Sequence, residues 1–138
     1  MEFLPARRGL LAAGAVSSIH EAIGIVIVAA FLVLFGWGAV VWIRRRTPGA
    51  WYWRLLAFLQ VTLLLQLVAG LILLALGHRQ PVLHYLYGSV FPIIVLVIAH
   101  VLARDMEQEK DAFHVFVAAS FILFGLTLRA LATGLGWG

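Results

Sequence analysis

Residues 19–43 read IHEAIGIVIVAAFLVLFGWGAVVWI, and Arg44, Arg45 and Arg46 follow at once. Between Glu21 and Arg44 the run carries no charge. A helix rises 1.5 Å per residue, so about 20 such residues cross a hydrocarbon core of roughly 30 Å. The arginines and then Thr47, Pro48 and Gly49 stop the helix. Three further runs have the same character, at residues 52–76, 83–103 and 112–133. The second ends at Gly77, the third follows Pro81, and the fourth closes on Gly134. The expected fold is an all-α integral membrane protein. Short connections force neighbouring helices to run in opposite directions, which gives four transmembrane helices in an antiparallel up-down bundle.

Composition agrees. Of 138 residues 64% are hydrophobic and only 12% charged, and the mean hydropathy is +1.05. A soluble domain of this size keeps roughly a quarter of its residues charged. There is no cysteine, which excludes disulfides, thiolate metal sites and thioether-linked haem. Methionine occurs only at Met1 and Met106, which argues against a methionine-rich copper site. The net charge of +4 sits beside apolar segments. It therefore reads as topology signal and contact with lipid headgroups, not as a nucleic-acid surface.

Residues 1–18 hold Pro5, Arg7, Arg8 and a short run of small apolar residues. The run resembles the core of a signal peptide but is short and has no clear cleavage box. It is expected to be a retained interfacial arm, with Ser17 and Ser18 as candidate caps of the first spanning helix. Basic residues set the orientation. With the amino terminus outside, the inner loops hold Arg44, Arg45, Arg46, Arg54, Arg104 and Lys110, against Arg7, Arg8 and Arg79 outside. Both termini are thus expected on the outer face of a bacterial-type plasma membrane. Trp51, Tyr52 and Trp53 read as an inner aromatic belt, and Tyr85, Tyr87 and Trp137 as an outer one.

One short phrase occurs twice. His20 and Gly24 open the first run, His84 and Gly88 open the third, and the offset is 64 residues. Gly70 and Gly134 match at the same offset, which suggests an internal two-helix repeat. In an up-down bundle the first and third helices are diagonal and parallel, so His20 and His84 share one depth near the outer surface. Two imidazoles so placed can grip a flat metal-bearing ligand from both sides, as axial nitrogens grip haem iron. Four residues further on, a side chain lies about 40° round and about 6 Å deeper on the same helix face. Gly24 and Gly88 then clear room for the rim of such a ligand. Arg129, in the outer part of the fourth helix, is a candidate partner for its carboxylates. His100 and His114 flank the charged loop 104–111 and read as interfacial. Gln60 and Gln66 read as inter-helix hydrogen-bonding groups. Pro92 is expected to kink the third helix, with Ser89 bonding a freed carbonyl.

Residues 56–103 carry Gln60, then Gln66-Leu67-Val68-Ala69-Gly70, a short loop with Pro81, and Leu83-His84 at a helix start. That order resembles one half of haem A synthase, as does Ile19-His20-Glu21 leading a helix that ends in Arg44-Arg45. The resemblance covers the first three helices. It implies a four-helix haem-binding bundle with His20 and His84 as iron ligands. The family's functional glutamate shortly before the first histidine is missing, since position 17 is Ser17. Glu21 lies about 100° away round the helix from His20 and does not replace it. The family also uses two such halves.

The function expected from the sequence is therefore a b-type haem protein that transfers electrons in the membrane. Its partners would be other membrane subunits of a respiratory or photosynthetic complex, with a quinone as a further candidate. The alternatives are a cofactor-free accessory subunit of such a complex, or a haem A synthase-like enzyme half.

Overall fold

The computed structural model describes residues 3–137, and the side chains of residues 6–137. Among these residues all the regular structure is helical. Helix α1 spans Phe3–Ile43 and α2 spans Ala50–Ala75. The third membrane-length segment, Val82–Arg104, is composite: α3 (Val82–Tyr85), one π-helical stretch (Leu86–Val90) and α4 (Phe91–Arg104). Helix α5 spans Glu109–Gly134. Four segments are long and apolar enough to cross a membrane: Ala6–Ile43, Ala50–Ala75, Val82–Arg104 and Glu109–Gly134.

The boundary expected at residue 18 is not there. Helix α1 continues through Ser17 and Ser18, and the Ser18 hydroxyl donates to the Gly14 carbonyl at 3.1 Å, within the same helix. A serine can satisfy its hydroxyl one turn back without ending a helix. The other ends follow the chemistry of their loops. Gly49 leads into α2 from an extended conformation. After α2, Gly77 adopts φ +88, and its N–H donates to the Leu74 carbonyl while that of His78 reaches Leu73. Gly136, at φ +81, closes α5 with the same pair of bonds, to Thr133 and Ala132. Glycine takes this left-handed position without the clash a Cβ brings. Arg45 holds a similar conformation, φ 52, after α1.

Each long helix shows one face to the interior. On α1 it is His20, Gly24, Ile27, Phe31, Leu34 and Gly38; on α2 it is Tyr52, Leu56, Leu59, Leu63, Gln66, Gly70 and Leu73. The steps alternate between four and three residues, the seam of left-handed helix packing. On α5 the face runs through Phe113, Phe116, Val117, Ser120, Leu123, Thr127 and Ala130. Ser120, Thr127 and Thr133 are buried polar groups, and each donates its hydroxyl to a carbonyl of its own helix. The outward faces are leucine, valine and isoleucine, as contact with lipid chains allows.

Helix α1 packs on α2 and on α5, and α4 packs on α5. The tightest approach is at Gly38, where an added Cβ would lie 2.7 Å from Val117 Cγ2 and 3.2 Å from Tyr52. Such contacts matter in lipid, where close packing replaces the hydrophobic drive. Tyr52, expected in an aromatic belt, is instead fully buried against Trp37, Trp53 and Phe113. Its neighbour Trp51 is 69% exposed, and the Trp53 indole N–H donates to Glu109 at 2.8 Å. Helix α2 lies along α1 and reaches α5 through Tyr52 and Trp53 near its start, while its backbone stands apart from the third segment, so the bundle opens between those two. The candidate site lies at that opening.

Candidate functional site

At the end of the bundle that holds the 76–81 loop, residues of α1, α2, α3, the π-helical stretch, α4 and α5 surround a cavity of about 400 Å³. Cofactor and small-molecule sites occupy roughly 300–1,000 Å³. His20, Gly24, His84 and Gly88, the four residues of the repeated phrase, all line it. Its deeper wall is apolar, with Ile27, Leu63, Leu67 and Leu131. Its rim carries Glu21, His78 and Gln80, all exposed.

The two histidines meet across this space. Their ring centroids are 6.2 Å apart, with the planes at 63°. Each ring rests on a glycine of the following long helix. A Cβ at Gly70 would lie 3.3 Å from His20 Cε1, and one at Gly134 would lie 3.0 Å from His84 Cε1 and Nδ1. Both glycines were matched in the sequence repeat, yet their role as seats for the rings is visible only in three dimensions. Gly24 and Gly88 have a mixed role. They line the cavity, but a Cβ at Gly24 would meet Gln66 Nε2 at 3.3 Å and one at Gly88 would meet Ala130 Cβ at 3.4 Å. They therefore bring helices together as well as leave room.

The ring nitrogens are held differently. His84 Nδ1 lies 2.9 Å from the Ala130 carbonyl. A carbonyl only accepts, so Nδ1 is the donor, and in the neutral ring Nε2 is then the nitrogen with the lone pair. His20 Nδ1 is buried without a hydrogen-bond partner among the described residues. Gln66 crosses from α2 to α1, its Nε2 donating to the His20 carbonyl at 2.6 Å, while its Oε1 is buried and unpartnered. The expectation that Gln66 bonds between helices is met.

The third segment changes pitch between His84 and Pro92. Pro92 has no N–H to offer, and the Phe91 N–H reaches the Leu86 carbonyl, five residues back. The Ser89 hydroxyl donates to the Tyr85 carbonyl. The Tyr85 hydroxyl in turn accepts the Gln80 backbone N–H at 2.9 Å, tying the loop to the base of His84. His84, just before this wider turn, and Gly88, within it, both line the cavity.

Arg129 is not part of this constellation. Its side chain is exposed and outside the cavity lining. The reason is angular: Ala130 faces inward, and a residue one position away is turned by about 100°. His100 is exposed, with Nδ1 bonded to the Leu96 carbonyl at 2.8 Å and its ring against Phe116. His114 stacks on Trp42 at 4.5 Å. Neither lines the cavity.

Among the described residues no group of three or more His, Cys, Asp or Glu side chains converges on one point. Two facing imidazoles suit a metal whose remaining positions a ligand fills. Two metal–nitrogen bonds of about 2.0 Å, with about 1.1 Å from each nitrogen to its ring centre, put such centres roughly 6 Å apart. The observed centroid separation, 6.2 Å, is of that size. Comparison with family models, with curated proteins and with solved structures finds no match to this chain.

Proposed function

We propose that the chain is a b-type haem protein of a membrane electron-transfer complex, in which His20 and His84 would hold one non-covalent haem. The observation that carries this reading is the imidazole pair, 6.2 Å apart inside a cavity lined by all four membrane-length segments. His84 offers Nε2 because Ala130 holds its Nδ1 proton. Gly70 and Gly134 seat the rings, and the apolar wall of Ile27, Leu63, Leu67 and Leu131 suits a macrocycle. The rim residues His78 and Gln80 offer hydrogen-bond donors to the ionised edge of such a ligand. When bound, haem supplies one-electron redox chemistry. The protein's part is to fix the ligand nitrogens and to exclude water from the inner wall.

The finer architecture belongs to the same reading. An antiparallel bundle is supported by the order of contacts between α1 and α5, Gly38 with Val117 and Gly24 with Leu131. An internal two-helix repeat is supported by contacts that recur at the offset of 64. His20 lies on Gly70 and Gly24 beside Gln66, as His84 lies on Gly134 and Gly88 beside Ala130. The haem would sit near the outer surface, with both termini outside, and the first residues of α1 would lie in the interface. A chain with such short loops meets its partners sideways in the bilayer, which favours other membrane subunits, or a quinone, as electron partners.

A reduced-minus-oxidised absorption spectrum of the purified chain tests this. A b-type Soret and α-band at about one haem per chain is the expected result. A chain that remains colourless after expression with ample haem would favour the cofactor-free accessory subunit. Conversion of the bound porphyrin by this chain alone would favour the haem A synthase-like reading.

A further inference from the structure

The two proposed ligands are supported unequally. His84 Nδ1 is held by a main-chain carbonyl, that of Ala130. His20 Nδ1 is buried and has no hydrogen-bond partner among the described residues. The position 64 residues before Ala130 is Gln66. Its carboxamide already touches His20, through Nε2 and the His20 carbonyl, and its Oε1 is the other unpartnered buried atom at this site. One atom is a potential donor and the other an acceptor, on residues already bonded to each other. Burying both unpaired is costly, and a hydrogen bond between them, direct or through one water, would satisfy the two together.

We infer that Gln66 is a positioning residue for His20: its Oε1 accepts a hydrogen bond from Nδ1–H, directly or through one water, which would leave Nε2 as the nitrogen free to hold the metal. This rests on the haem reading above. A ligating histidine whose other nitrogen donates to an acceptor is fixed in tautomer and orientation and is a more basic ligand. No carbonyl of α1 bonds Nδ1 of His20 among the described residues, whereas the Ala130 carbonyl of α5 bonds that of His84. The side chain of α2 takes the role that the backbone of α5 plays on the other side.

The test is a redox titration of the full-length haem-loaded chain, followed by absorbance, in wild type, Gln66→Leu, Gln66→Met and Gln66→Glu. A less basic axial ligand favours ferrous over ferric iron. Gln66→Leu is expected to shift their relative affinity about tenfold, a rise in midpoint potential of about 59 mV. Gln66→Met should do the same and serves if the leucine variant fails to fold. Gln66→Glu keeps an acceptor oxygen and should leave the potential at or below that of wild type. Ferrous Gln66→Leu should also bind carbon monoxide where wild type does not, since an unsupported His20 leaves the iron more readily. Unchanged potentials, or leucine and glutamate variants that shift alike, overturn the inference while the haem reading stands. A wild-type chain that takes up no haem overturns both.

Discussion

His20 and His84, 64 residues apart in sequence, stand with their rings 6.2 Å apart at the mouth of one cavity. They sit on different segments, and a different glycine lies under each ring. If both ligate one haem, His20→Ala and His84→Ala each abolish the b-type spectrum. His100→Ala leaves it intact, because His100 is outside the cavity and bonded within its own helix. Absorption spectra of the three variants, at equal protein concentration, check this.

The seats of the rings are a second point of attack. A methyl group at position 134 would meet His84 at 3.0 Å, and one at position 70 would meet His20 at 3.3 Å. Overpacking of this kind costs roughly 1–3 kcal/mol. Gly134→Ala should weaken haem affinity about tenfold or more, and Gly70→Ala by less. Gly125→Ala, on the same helix with open space around it, should change nothing. Haem titrations of the apo-proteins measure all three.

Away from the cavity, Gly38 controls how closely α1 meets α5. Gly38→Ala places a Cβ 2.7 Å from Val117 and should destabilise the fold by roughly 1–3 kcal/mol. Adding Val117→Ala should recover part of the loss, whereas Gly36→Ala should be silent because nothing lies near it. Thermal unfolding in detergent reads the effect.

The membrane segments were legible because length and absence of charge suffice to mark them. The closeness of the two histidines was legible too, from a repeated phrase, although only His84 lies at a helix start and His20 is well inside α1. The inward faces were harder to read, since in runs where almost every residue is apolar the hydrophobic period is mute. Small and polar residues mark the interior instead: Gly24, Gln66, Gly70, Thr127 and Gly134 all line the cavity. Ser18 misled as a cap because a hydroxyl satisfied within its own helix has the same sequence signature, and Ser17 lies in the same unbroken helix. Tyr52 misled as a belt residue because its outward neighbour Trp51 has the same chemistry and only the helix angle separates them. The pitch change after His84 was legible only as a proline.

Arg129 illustrates the same limit. Its depth suits a carboxylate partner, but its direction does not, and its side chain is exposed outside the cavity. Arg129→Gln is therefore expected to leave haem affinity within about twofold of wild type, a change well under 1 kcal/mol. Parallel titrations of the two proteins measure it.

The central claim is that one haem lies between His20 and His84. The most direct measurement is titration of the full chain with haem, followed by absorbance and by electron paramagnetic resonance of the ferric form. One haem per chain with the low-spin signal of two imidazole ligands, lost in both His20→Ala and His84→Ala, is the predicted result. Binding that does not saturate, or the same signal in the double variant, would contradict it.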